Sequence, residues 1–115
     1  MFRTIRSQPD RSRGMSALVI IDLEVHDRAR MEQYEQGAIE LMARHGARPL
    51  ARELRAENYE GAWAPNFFVI LEFPDRQAVR HFYDSAEYQP LKALRLQAAR
   101  SNGIIVVDKA EPPAA

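Results

Sequence analysis

Seven consecutive residues, Phe67-Phe-Val-Ile-Leu-Glu-Phe73, constrain this chain more than any other stretch. Successive side chains of a strand point to opposite faces, and here both sets are apolar except for Glu72. Such a strand belongs at the centre of a sheet with a layer on each side. At 115 residues the chain has room for one domain, so the question is what supplies both layers.

The remaining elements answer half of it. Val19 to Val25 alternates, with Val19, Ile21, Leu23 and Val25 on one face and Ile20, Asp22 and Glu24 on the other, and reads as a strand. Asp27 is a helix N-cap, and Met31, Tyr34, Ala38, Leu41 and Met42 recur at helical spacing until Gly46, which predicts a helix over 28–45. Residues 47–55 read as a weaker strand. Pro49 lacks a ladder donor and places that strand at an edge, with Arg52 grouped with Leu50 and Leu54. After Phe73, Pro74 ends the strand and Asp75 caps a helix. Ser85 stops that helix and starts another, which holds Pro90 in its first turn and runs to about Arg100. Asn102 and Gly103 are then expected to break the helix before a last strand, Ile104 to Val107.

The order β-α-β-β-α(α)-β, with right-handed crossovers, predicts an α+β, ferredoxin-like βαββαβ fold: a four-stranded antiparallel sheet with helices on one face. Leu18, Ile20, Phe68 and Ile70 are then left without cover. A second subunit's sheet would supply it, making the expected assembly a homodimer in the form of a dimeric α+β barrel.

Charge and composition exclude several classes of function. Sixteen basic and sixteen acidic residues cancel, so no basic face marks a nucleic-acid partner. Residues 1–14 carry four arginines and one aspartate, a net of +3, and read as a disordered basic leader with Met15 a candidate start. The domain is expected over 15–109, with a flexible tail at 110–115. No apolar run approaches the ~20 residues that span a bilayer, and cysteine is absent, so no membrane partner and a cytoplasmic setting are expected. His26, His45 and His81 have no partners at metal-ligand spacing, and glycines 14, 37, 46, 61 and 103 are too scattered for a phosphate loop. No metal and no bound cofactor are expected.

Arg95 is the foremost candidate for chemistry. Spacing from Tyr88, Leu91 and Ala98 puts it inside an apolar helical stripe, where a guanidinium must find an anion. That anion is either a ligand's carboxylate or enolate, or a structural partner among Asp22, Glu24 and Glu72. Tyr88, one turn earlier, could orient a ligand or donate a proton; otherwise it is a core aromatic with its hydroxyl on a backbone group. Asp22, Glu24 and Glu72 fall on matching strand faces, so they could form a general base in the space between sheets, or else sit at the open ends of the barrel or neutralise Arg52 and Arg95. Arg52 and Ser85 complete the candidate pocket. A Ser85-His81-Asp84 triad is not supported, because His81 lies off the Val79/Phe82 face and no nucleophile elbow is present.

The stretch Leu71-Glu-Phe-Pro74, with Ala78, Phe82-Tyr-Asp-Ser85, Glu87-Tyr-Gln89, Leu94-Arg95 and Ala98-Ala99, resembles the domain of unknown function 1330 family, of the dimeric α+β barrel superfamily. His45-Gly46, Leu50-Ala-Arg52, Glu60-Gly61 and Trp63-Ala-Pro65 extend the likeness over Ala17 to Asp108, while Ala47, Pro49, Glu53 and Ala86 depart from it. The resemblance implies the barrel fold and matches Arg95 to a family arginine. It assigns no reaction. The expected function is binding or conversion of a small acidic or phenolic metabolite without a tightly bound cofactor, with Arg95 and Tyr88 the candidate catalytic groups. The alternative is a non-enzymatic structural or regulatory homodimer in which Arg95 completes a buried ion pair. Trp63 would cover either the pocket mouth or the dimer seam.

Overall fold

The computed structural model describes residues 15–111; the basic leader and residues 112–115 of the tail lie outside it. The chain forms β1 (Ala17–Val25), α1 (Arg28–Arg44), β2 (Arg48–Glu53), β3 (Phe67–Phe73), α2 (Arg76–Asp84), α3 (Tyr88–Ala98) and β4 (Ala99–Asp108). All strand pairs are antiparallel, in the order β2-β3-β1-β4. The two-sided apolar strand β3 is central, as is β1, and Pro49 sits on the edge strand β2, where its missing N–H costs no ladder bond.

Alternation decides which residues meet the helices. Val19, Ile21 and Leu23 of β1, with Val69 and Leu71 of β3, are buried against the helical layer, which contributes Met31, Tyr34, Ala38, Leu41, Phe82 and Tyr88. Leu18, Ile20, Phe68 and Ile70 lie on the other face and are half-buried. Asp27 caps α1 by accepting from the Arg30 amide, and Asp75 caps α2 by accepting from the Ala78 amide. Past the end of α1, Gly46 adopts φ +86°, and a Cβ there would lie 2.7 Å from Pro74 Cγ. Only glycine fits that turn without displacing the chain that leads into α2.

Three expectations change. β1 begins at Ala17 rather than Val19, because Ala17 and Leu18 pair with both neighbours. Helix α3 ends at Ala98, whose carbonyl accepts from the His26 and Asp27 amides, and β4 starts at once. Asn102 and Gly103 therefore lie inside a strand, not in a break. The register passes from Asp22↔Gly103 to Leu23↔Ser101 and leaves Asn102 as a bulge, which absorbs turn-like residues without ending the ladder. A similar shift between Pro49 and Ala51 turns Leu50 out to 45% exposure, while Arg52, opposite Val69, stays on the helical side.

Candidate functional site

A cavity of about 440 Å³ lies between the helices and the sheet, walled by Val19, Ile21, Leu71, Phe73, Ile104 and Val106. Few polar side chains enter it. The stripe predicted on α3 faces inward, so Tyr88 and Arg95 are both 2% exposed and both line the cavity. Arg95 Nη1 donates to Ser101 Oγ at 2.8 Å, and Nε has no hydrogen-bond partner. No carboxylate among the described residues pairs with it. The three expected partners are engaged elsewhere: Asp22 with Trp63 Nε1 and Asn102, Glu24 with Arg100, and Glu72 with Arg48 and Lys109.

Beside Arg95, the hydroxyls of Tyr34 and Tyr88 are 2.8 Å apart, with the rings edge-on at 6.3 Å. Burial, and then Tyr88, push the Tyr34 pKa well above the ordinary phenol range, with Arg95 opposing in part. Tyr34 is therefore a neutral O–H donor at physiological pH. Burial pulls the Arg95 pKa down, but the phenols of Tyr88, Tyr34 and Tyr83 outweigh it, and the guanidinium stays charged. One hydroxyl hydrogen of the tyrosine pair is spent on the other tyrosine, and the second makes no hydrogen bond among the described residues. A permanent cation and a pair of phenol hydroxyls thus stand together on a largely apolar wall.

A second polar group stands apart from the first. Arg52 Nε and Nη2 donate to the two carboxylate oxygens of Glu35 at 2.8 and 3.0 Å, the Arg52 guanidinium rests over the Phe67 ring, and both Arg52 and Glu35 line the cavity. Arg80 and Asp84, exposed on α2, complete its charged lining.

The other predicted site residues lie elsewhere. Ser85 Oγ donates to the Phe82 carbonyl and accepts from the Tyr88 amide; it joins α2 to α3 and does not reach the cavity. Asp22 and Glu72 are on the sheet face away from the helices, and they form no carboxylate cluster. Asp22 is opposite Phe68 and Glu72 opposite Leu18, four residues or about 13 Å apart along β1. Tyr34 and Glu35 were missed as site residues. Tyr34 reads as ordinary helix core, and only the need of a buried phenol for a partner signals more. None of the three histidines lines the cavity, and among the described residues no group of His, Asp or Glu side chains is placed to hold a metal ion.

Residues 16–109 match a family described as domain of unknown function (DUF1330). A comparison with curated proteins returns no match. Among solved structures, a protein of unknown function from Rhodopseudomonas palustris, RPA0582, shares 16% identity at a TM-score of 0.67, covering 85% of this chain and 83% of that one. SnoaB, a cofactor-independent oxygenase from Streptomyces nogalater, shares 15% at 0.63, over 85% of this chain and 96% of its own. A dimeric ferredoxin-like protein of unknown function from Thermobifida fusca shares 16% at 0.55, over 84% and 92%. At these identities the likeness carries the fold alone.

Proposed function

The chain belongs to the DUF1330 family, and we propose that the cavity under its helices binds a small organic acid or acidic phenol, with the Arg95 guanidinium as counter-ion. The observation that carries this reading is a cation 2% exposed, without a carboxylate partner among the described residues, on the wall of an apolar cavity. A buried charge of this kind is tolerated where a ligand completes it. With a phenol or enol bound, the same guanidinium would stabilise the anion left by proton loss, so the reading extends to conversion of such a ligand. SnoaB, described as a cofactor-independent oxygenase, uses the same fold. The alternative, a barrel in which Arg95 forms a structural ion pair, finds no carboxylate for Arg95 among the described residues.

The binding unit is a homodimer closed through the free sheet face. Leu18, Ile20, Phe68, Ile70, Ile105 and Val107 form an apolar surface there, and Trp63, 60% exposed, packs edge-on against Phe68. The Thermobifida fusca structure is described as dimeric. On this reading Trp63, packed on Phe68, belongs to the seam rather than to the cavity mouth.

Thermal unfolding with a panel of small carboxylates and phenols tests the proposal. A ligand at about 100 times its Kd adds about 2.7 kcal/mol, a rise of several degrees in Tm. The rise is expected for wild type and not for Arg95→Met; the same rise in both proteins, or no rise with any compound, overturns the assignment.

A further inference from the structure

Taking Arg95 as the counter-ion argued above, we infer that the cavity selects monoanions with an apolar body and rejects dianions, and that Glu35 sets this selection.

The cavity's charges are unevenly compensated. Arg52 is held by both oxygens of Glu35. Arg80 and Asp84 are opposite in sign and exposed, where water screens them. Arg95 alone is buried without an anion, so the site has one charge to satisfy. At ~30 Å³ per water-sized group, 440 Å³ holds on the order of 15 heavy atoms, and the walls are almost wholly apolar. The ligand is thus an amphipathic acid the size of a bicyclic aromatic.

Register gives the separation of the strand residues on which the two guanidinium groups rest. Arg95 rests on Ser101 and Arg52 over Phe67, and these two residues flank Leu23 in one row of the sheet. They are two strand spacings apart, about 10 Å. A rigid diacid of that length, anchored at Arg95, presents its second carboxylate to the Glu35–Arg52 pair. Arg52 already has its anion, and the Glu35 side chain is 17% exposed, so the like charge is poorly screened. Specificity of this kind comes from a repulsive group as much as from an attractive one.

The test measures Kd by calorimetry for 2-naphthoate, 2-naphthylmethanol and naphthalene-2,6-dicarboxylate against the full chain and Glu35→Gln, with Tm recorded for both proteins. In wild type, naphthoate binds, while the alcohol and the diacid each bind at least about tenfold more weakly. In Glu35→Gln the penalty of the diacid relative to naphthoate shrinks several-fold. If the diacid binds wild type as well as naphthoate does, or if Glu35→Gln folds and the penalty persists, the selection by Glu35 is wrong and the Arg95 assignment stands. If none of the three binds, the assignment itself falls and the selection with it.

Discussion

The hydroxyl oxygens of Tyr34 and Tyr88 lie 2.8 Å apart although the residues are 54 positions apart in the chain. The bond joins α1 to α3 beside the Arg95 guanidinium, which no carboxylate among the described residues neutralises. Its consequences for stability can be measured directly.

Tyr34→Phe and Tyr88→Phe each strand the partner's hydroxyl in a buried site, and each is expected to cost about 1–2 kcal/mol in urea unfolding. The double variant removes both polar atoms and should cost less than the sum of the singles, with a coupling of about 1 kcal/mol. Strict additivity would show that the bond contributes nothing.

Arg95→Met separates a binding cation from a structural one. Removing half of a buried ion pair costs about 3–5 kcal/mol, whereas replacing an unpaired buried charge by an apolar side chain of similar length is neutral or stabilising. We expect the unfolding free energy of the unliganded variant to stay within about 1 kcal/mol of wild type or to exceed it. A loss in the ion-pair range would identify a structural partner.

Glu72 makes stability depend on pH in acid. Hydrogen bonds from Ser16, then Lys109 and Arg48, hold its carboxyl at about 2 against an ordinary 4.5. A depressed folded-state pKa stabilises the protein above the unfolded value and loses that contribution as pH falls, here between 4.5 and 2. Urea midpoints for wild type should therefore drop across this window more steeply than those for Glu72→Gln. Parallel profiles would remove Glu72 from the account.

Ile70 is at the centre of the free sheet face, opposite Ile20 and Ala51. By sedimentation, wild type is expected at twice the chain mass of 13.2 kDa, and Ile70→Lys at the chain mass with its circular dichroism retained, since a charge buried between two sheets goes unpaired. A wild-type monomer would refute the proposed dimer.

Most of the fold was legible in local signals. Alternation in β1 and β3, the caps at Asp27 and Asp75 and the stop at Gly46 act over a few residues, so they read the same in the sequence as in the folded chain. The helical stripe also announced the burial of Tyr88 and Arg95. Sequence did not show that β4 runs through Asn102 and Gly103, because a bulge is defined only against the opposing strand. Nor could it show that Leu50 turns out while Arg52 stays on the cavity side, which depends on the shift between Pro49 and Ala51.

The sequence by itself determined that Arg95 would be buried and that the sheet would have two apolar faces, since both follow from periodicities of 3.6 and 2 along a single segment. Only the tertiary structure decided what Arg95 meets. Asp22, Glu24 and Glu72, three plausible partners by type, lie on the opposite side of the sheet and are held there by Trp63, Arg100, Arg48 and Lys109. Tyr34, an unremarked core residue of α1, is brought to Tyr88 beside it. The chemistry of a buried charge depends on groups distant in the chain, and their approach is set by sheet register and helix packing, not by spacing along the sequence.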